Sequence, residues 1–305
     1  MSDPKALNAD AVLARLDDLP TLPFVALRVG ELVNDPRAGA RDIAKVMRDD
    51  PSLPARVLKL VNSSYYAIPG GVADVTRAIS FVGFNTLYQL VLSVSVLRAL
   101  PKPSGSTFDA AGLWLHSLAV GSCAEVLARR IGHREPGACF TAGLLHDVGK
   151  IALAITAPDR FIQAVAAAGR SGEDMSAAER EAGLPPHDRV GSRLARRWKF
   201  PASLLVPIEL HHDPRPEARR DLAPSLQAMV DVIIAADAIC RLHHLGQSGS
   251  PSPDKVEPEI LARIGLLPTH VDELYSQLMR RLEASKAFLE LVDERPAVPA
   301  AAGAC

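Results

Sequence analysis

Cysteine is scarce in this chain of 305 residues, which has four cysteines and no C-x-x-C pair. This excludes a disulfide framework and a thiolate zinc site, and it is typical of a reducing cytoplasm. Neither sign of charge dominates, because 34 Lys and Arg residues are balanced by 35 Asp and Glu residues. Extensive binding to the phosphate backbone of a nucleic acid normally needs an excess of Lys and Arg residues, so we expect no nucleic acid partner.

Long apolar runs are also absent. The longest extends from Leu87 to Leu97 and is interrupted by Gln89, Ser93 and Ser95. A transmembrane helix needs about 20 largely apolar residues, so this run predicts a buried helix. The first 20 residues contain no apolar core of a signal peptide. We therefore expect a cytoplasmic protein that does not bind a membrane.

What the chain does contain is helical periodicity. Apolar residues recur at helical spacing almost throughout, and no Asn-Gly or Asp-Gly hairpin turn occurs. The sequence therefore predicts an all-α fold. Besides a helix between Pro23 and Asn34, the predicted helices cover residues 10–18, 42–48, 51–61, 75–82, 85–100, 109–131, 136–146, 158–168, 187–199, 202–212, 222–246 and 271–292.

Proline, glycine and serine concentrate at a few places that indicate the domain organisation. The segment 101–106 reads PKPSGS and predicts a boundary between an N-terminal helical subdomain, residues 13–103, and a helical bundle, residues 104–292. The segment 246–258 predicts a mobile loop. Residues 293–305, rich in Ala and Pro, predict a disordered tail.

Several ionisable residues lie in apolar stretches where charge is costly. In LLHDVGK, residues 144–150, His146, Asp147 and Lys150 stand between apolar runs, and buried charges are normally paired or bound to metal. Asp237 lies in the equally apolar IIAADAI. A single buried histidine is more often a core residue held by one hydrogen bond than a ligand.

Taken together, these residues predict a metal site inside the bundle. Five of the nine histidines and two aspartates face inward from five predicted helices: His116, His146, Asp147, His187, His211, His212 and Asp237. Imidazole and carboxylate ligands suit iron, manganese or zinc, and helix bundles commonly hold such ions in their cores. We expect one or two divalent ions.

Longer blocks of sequence extend this pattern over much of the chain. They are LPTLPFVALRVGELVNDP at 19–36, DDPSLPARVLKLVNSSYY at 49–66, AISFVGFNTLYQLVLSVSV at 78–96, LWLHSLAVG, GLLHDVGK, HDRVGSRLARRW and LHHDP. With these blocks, residues 13 to 245 resemble the HDOD family, the HD-related output domain of bacterial signalling proteins. That family lies within the HD superfamily of metal-dependent phosphohydrolases.

The resemblance implies an N-terminal helical layer packed on a divergent HD-type bundle, and a role in signal transduction. It implies one metal held by the superfamily's ligand pattern, which corresponds here to His116, His146, Asp147 and Asp237. The resemblance to the HD-GYP phosphodiesterases implies that Asp147 bridges to a second set, namely His187, His211 and His212. A further carboxylate ligand is sought upstream of His187, and the choice between Glu179 and Glu181 stays open. The Gly-Tyr-Pro signature of those enzymes is missing after His212.

Two functions follow from the resemblance. The favoured one is a non-catalytic output module that binds protein partners in a signalling pathway, with a nucleotide as a further ligand. The alternative is a metal-dependent phosphohydrolase acting on a nucleotide or cyclic dinucleotide, so the question of enzymatic activity stays open. Lys150, Arg189 and Arg193 are weak candidates for phosphate contact, because the two arginines also fit a solvated basic helix face.

Overall fold

The structure, a computed structural model, describes residues 9–100, 108–172, 174–251, 253 and 255–293. Within these ranges there are seventeen α-helices and no strand, which confirms the predicted all-α class. The predicted boundary at 103–104 and the tail beyond residue 293 lie outside the described residues. The division into two subdomains therefore stays a prediction.

Six helices form the N-terminal layer: α1 (Ala9–Arg15), α2 (Phe24–Val33), α3 (Ala40–Met47), α4 (Ser52–Val61), α5 (Val75–Val82) and α6 (Phe84–Ala99). Asp74 caps the start of α5 by accepting a hydrogen bond from the amide of Arg77 (2.9 Å). The chain then bends by 118° between α5 and α6. α6 packs against α2 and α4 inside the layer and against the bundle on its other side.

Eight helices form the bundle: α7 (Ala110–Arg130), α8 (Pro136–Leu145), α9 (Val148–Thr156), α10 (Pro158–Ser171), α11 (Met175–Glu181), α12 (His187–Arg197), α13 (Ala202–Leu210) and α14 (Pro224–Leu242). α7 packs against α8 and α14, α12 packs against α9 and α13, and α13 packs against α8 and α14. The helices that carry the predicted ligands thus surround one common interior.

Three further helices follow in the described residues: α15 (Pro258–Arg263), α16 (Pro268–Ala284) and α17 (Ala287–Asp293). The sequence predicts one helix over 271–292, but the structure breaks it after Ala284. The hydroxyl of Ser285 is fully buried and donates to the carbonyl oxygen of Arg281 (2.8 Å). This side-chain bond competes with continued helical bonding. α9, α11 and α15 are also absent from the predicted set.

A buried ionic group joins the layer, the bundle and α16. Its centre is Glu125 of α7, only 1% exposed, which accepts hydrogen bonds from Arg281 Nη2 (2.6 Å), from Arg129 Nη2 (2.7 Å) and from the hydroxyl of Tyr65. Arg281 also donates to the carbonyl oxygen of Tyr65 (2.8 Å). We call Glu125, Tyr65, Arg129 and Arg281 the Glu125 centre.

Two helical segments in the described residues are long and apolar enough to cross a membrane by length and composition, namely Ala110–Arg130 and Pro136–Thr156. The bent pair α5 and α6 would count as a third if taken as one span. The apolar windows of the first two are 78% and 94% buried within the protein. Packing inside the bundle therefore accounts for their apolar character.

Candidate metal centre

The centre is built at a break between two helices. α8 ends at Leu145 and α9 begins at Val148, so His146 and Asp147 lie in the junction. The break lets consecutive side chains face one interior space: His146 Nε2 lies 3.4 Å from Asp147 Oδ2. Both side chains are almost completely buried.

Two groups of potential ligands share Asp147. The first comprises His116, His146 and Asp147, and the second comprises Asp147, His187, His211 and His212. Within each group the ligand atoms lie within 4.8 Å of one another. This spacing would allow one ion in each group with Asp147 between them.

Close packing of α9 on α12 brings the second group together. A β-carbon on Gly149 would lie 1.9 Å from the carbonyl oxygen of His187, so only glycine permits this approach. Asp147 Oδ1 then lies 3.3 Å from His187 Nε2 and 3.6 Å from His211 Nε2. His212 Nε2 is 2.8 Å from His187 Nε2. His212 is the most exposed member of the second group, at 18%.

Three buried ligand atoms have no hydrogen-bond partner: His146 Nε2, Asp147 Oδ1 and His211 Nε2. The opposite ring nitrogen, Nδ1, donates to the carbonyl oxygen of Gly143 in His146 (2.7 Å) and of Ile208 in His211 (2.9 Å). In the neutral rings this leaves the Nε2 lone pairs free and directed inward, as in metal-bound histidines. Burial lowers the pKa of His146 to about 3, so that ring is neutral at pH 7. The donor set fits a divalent metal.

Asp237, also a predicted ligand, lies at the edge of the first group. Its Oδ1 is 3.1 Å from His116 Nε2 and 3.9 Å from His146 Nε2. Its Oδ2 accepts from Arg241 Nε (3.0 Å). Although burial opposes ionisation, Arg241 and His116 hold the pKa of Asp237 well below its usual range. The carboxylate is therefore available in its charged form.

The structure separates the two glutamates that the sequence leaves open. Glu179 of α11 is buried and accepts from the backbone amide of His187 (2.8 Å) and from its Nδ1 (2.9 Å), whereas Glu181 is exposed. Glu179 thus orients His187 from behind, as carboxylates commonly do for metal-binding histidines. Burial opposes protonation of His187, but Glu179 outweighs it and raises the pKa of His187 to about 9.

The three residues predicted to contact phosphate lie in different places. Lys150 is buried beside Asp147 and its ammonium donates to Asp147 Oδ2 (2.8 Å). Arg189 and Arg193 lie on the exposed face of α12, away from His187, and Arg193 donates to Asp17 of the N-terminal layer (3.1 Å). On a helix, the side chains two and six positions after His187 point away from it. These two arginines therefore belong to the solvated basic face of α12.

Sequence reasoning missed the role of the segment after α14. Instead of a mobile loop, residues 245–251 are hydrogen-bonded to the centre, for example through the carbonyl oxygen of Ser248, which accepts from Lys150 Nζ (3.0 Å). Positions 252 and 254 lie outside the described residues. Sequence reasoning also missed Arg241, although its spacing of four residues from Asp237 was a usable signal.

The fold and this centre define an all-helical protein with an HD-type cluster of histidine and aspartate. A family model, described as the HDOD domain, matches residues 19–214. The chain belongs to the HDOD family.

Solved structures share the fold. An HDOD domain protein with unknown function from Geobacter sulfurreducens has a TM-score of 0.71 and 26% identity, covering 92% of this chain and 98% of that one. A protein described as a candidate phosphohydrolase, from Shewanella amazonensis SB2B, has a TM-score of 0.69 and 26% identity, covering 94% and 100%.

A curated relative is an uncharacterized protein of Treponema pallidum (strain Nichols), 26% identical over an alignment of 233 residues that covers 72% of this chain. The chain spans 42% of the length of that relative.

Proposed function

We propose that this protein is a non-catalytic output module of a bacterial signalling pathway that carries an HD-type metal site. The observation that carries the metal site is the set of three buried, unpartnered ligand atoms on His146, Asp147 and His211. Leaving such atoms without a partner is costly in a protein interior, and an ion among them would remove the cost. Membership of the HDOD family supports the signalling role.

The ligand set favours one or two ions of iron, manganese or zinc. Imidazoles and carboxylates bind these metals well, and no thiolate belongs to either group of potential ligands in the described residues. When bound, an ion would supply positive charge to a buried carboxylate and, at an open position, polarise a bound ligand. Asp147 and the histidines of both groups would hold it.

Two arrangements support a non-catalytic role. The ammonium of Lys150, which has three donors, is engaged by three acceptors of the protein itself: Asp147 Oδ2, the carbonyl oxygen of Ser248 and Ser250 Oγ. Arg189 and Arg193 lie outside the centre. As long as Lys150 keeps these three contacts, none of the three cationic side chains is free to contact a substrate phosphate.

We propose that the exposed surface of the N-terminal layer binds a protein partner in the cytoplasm. The layer exposes Phe24 (73%) and Phe81 (52%), and Arg48 is exposed on the same layer. Exposed aromatic side chains are frequent anchors of protein interfaces. We expect Arg48→Glu to abolish capture of a partner from native lysate, while His146→Ala retains it. Equal capture by both variants would contradict this assignment.

Metal content is the direct test. We expect about one or two equivalents of iron, manganese or zinc in protein purified without chelator, measured by inductively coupled plasma mass spectrometry, because two ligand groups are present. Asp147→Ala removes the residue that the groups share and should lose the metal while circular dichroism stays unchanged. Folded wild-type protein that contains no metal, even after reconstitution, would refute the metal site.

A metal-dependent phosphohydrolase is the second candidate, favoured by the shared position of Asp147 between the two ligand groups. Two adjacent ions can stabilise both the attacking and the leaving oxygen of a phosphodiester. The test is hydrolysis of bis-p-nitrophenyl phosphate and cyclic di-GMP by metal-loaded protein, with His146→Ala as the control. Metal-dependent turnover that disappears in the control would replace the non-catalytic proposal.

A further inference from the structure

One short segment contacts three residues at the metal centre, namely His116, Lys150 and Arg241. Residues 245–251, which we call the strap, follow α14 and lie across the centre. The carbonyl oxygen of Leu245 accepts from His116 Nδ1 (3.2 Å), and the amide of Gln247 donates to the carbonyl oxygen of Gly112 (2.9 Å). The N-terminal end of the strap is therefore fixed to α7, beside a predicted ligand.

The other end of the strap is held by two cations of the centre, the buried Lys150 and the partly buried Arg241. Lys150 Nζ donates to the carbonyl oxygen of Ser248 (3.0 Å) and to Ser250 Oγ (3.1 Å). Arg241 Nη1 donates to the carbonyl oxygen of Pro251 (2.8 Å). Lys150 also pairs with Asp147, and Arg241 also pairs with Asp237. Each of these cations thus links an acidic side chain of the centre to the strap.

A metal ion in the first ligand group and the ammonium of Lys150 would both use the carboxylate of Asp147. Asp147 Oδ2 accepts from Lys150 Nζ at 2.8 Å and also lies 3.4 Å from His146 Nε2, within the first ligand group. A divalent ion held by Asp147 and His146 would lie close to the ammonium of Lys150. Two positive charges so close in a buried site repel strongly, and the ion carries the larger charge.

We propose that metal binding in the first ligand group displaces the ammonium of Lys150 from Asp147 and thereby releases the strap at Ser248 and Ser250. This regulation rests on the proposed metal site. The strap is a metal-responsive element, and its release is independent of any catalytic step. The end at Leu245 stays attached, because a metal-bound His116 keeps Nδ1 as a donor.

Release of the strap would change the protein surface. Gln247 and Gly249 line an apolar surface cavity of about 400 Å³ together with Phe108, Ile162 and Val165. The strap therefore lies between the buried centre and this cavity. Movement of the strap would therefore change the shape of this surface cavity when metal binds. An output module could use such a change to bind or release a partner.

The test is hydrogen–deuterium exchange of the full chain, followed by mass spectrometry on peptides that cover residues 245–251. Exchange is compared between chelator-treated protein and protein loaded with Mn²⁺, with the metal content measured on the same samples. We expect Mn²⁺ to accelerate exchange of the strap about fivefold to tenfold, the change expected when one net hydrogen bond is lost. Peptides from α4 serve as the internal control and should not change.

Two variants isolate the role of Lys150. Lys150→Met should exchange quickly at the strap without metal, and Mn²⁺ should add nothing. If this variant does not fold, Ser250→Ala removes one strap acceptor from the outside and should show a smaller effect in the same direction. Unchanged or slower strap exchange in wild-type protein with Mn²⁺ bound would overturn the inference and leave the metal site standing. Protein that binds no Mn²⁺ would overturn both.

Two glycines provide a matched pair for the attached end. Both have positive φ, +78° at Gly246 and +75° at Gly249, so alanine is strained equally at both. A β-carbon on Gly246 would lie 2.3 Å from the amide nitrogen of His116, whereas on Gly249 the nearest atom is 3.4 Å away. Gly246→Ala should therefore free the strap in chelator-treated protein, and Gly249→Ala should not. Equal exchange in the two variants would overturn attachment at His116.

Discussion

Two of the buried polar centres in the described residues, those around Glu125 and Asp147, differ in one respect. Glu125 and Asp147 are each almost fully buried, and burial opposes ionisation of both. Arg281 and Tyr65 lower the pKa of Glu125, while His146 and Lys150 hold the pKa of Asp147 well below its usual range. Both oxygens of Glu125 accept hydrogen bonds, whereas Asp147 Oδ1 accepts none.

This difference in pairing distinguishes a structural centre from a ligand site. A carboxylate that is fully paired by protein groups is complete in the folded chain, and its removal costs stability. A carboxylate with a buried, unpaired oxygen among inward-facing histidine nitrogens needs a partner from outside the chain, such as a metal ion. Variants of the two centres should therefore change different measurements.

The largest expected effect is at the Glu125 centre. Glu125→Gln removes the charge that pairs Arg281 and Arg129, and we expect it to lower the free energy of unfolding by about 3 kcal/mol, as for other broken buried pairs. Metal content should not change. Urea denaturation measures the effect, with Glu283→Gln on the exposed side of α16 as the control. A loss below about 1 kcal/mol would mean that this centre is not a structural one.

A smaller effect is expected behind the metal centre. Glu179→Gln removes the charge that orients His187, and we expect the second ligand group to bind Mn²⁺ about 10- to 100-fold more weakly. Isothermal titration calorimetry measures this affinity. Glu181→Gln, an exposed position on the same helix, is the matched control and should bind like the wild type. Equal affinity in both variants would show that Glu179 does not support a ligand.

Acid should remove the contribution of the Glu125 centre. The pKa of Glu125 in the folded protein is lowered from 4.5, so its stabilisation is present above pH 4.5 and is lost as the pH falls through the lower, folded value. We expect the difference in stability between wild type and Glu125→Gln to be constant near neutral pH and to shrink below pH 4.5. Denaturation at a series of pH values measures it. A difference that grows in acid would reverse the assigned sign.

The smallest effect is expected on the outer face of α12. Arg193→Ala breaks an exposed ion pair with Asp17, which should cost less than about 0.5 kcal/mol. Metal content and the change in melting temperature caused by inorganic phosphate should equal those of the wild type. Loss of a phosphate effect in this variant would restore Arg193 as a phosphate contact.

The sequence indicates the residues of the candidate centre more clearly than it indicates the boundaries of the helices. His146 and Asp147 stand out because charge in an apolar run needs a partner wherever the run folds. The prediction misses α9, because it ends the helix 136–146 at the break and assigns no helix to the residues that follow up to Thr156. Glu179 and Glu181 cannot be separated from spacing alone, since only the approach of α11 to His187 makes one of them buried.

The all-helical class, the family and the inward-facing ionisable residues follow from the sequence by itself, because helical periodicity and the desolvation of charge are local properties of the chain. Which atoms meet is a tertiary matter. The shared position of Asp147, the pairing of Lys150 with both Asp147 and the strap, and the complete pairing of Glu125 depend on contacts between residues up to 156 positions apart. Those contacts are set by how the helices pack, since a few ångströms decide whether a buried polar atom is paired within the protein or left for a ligand.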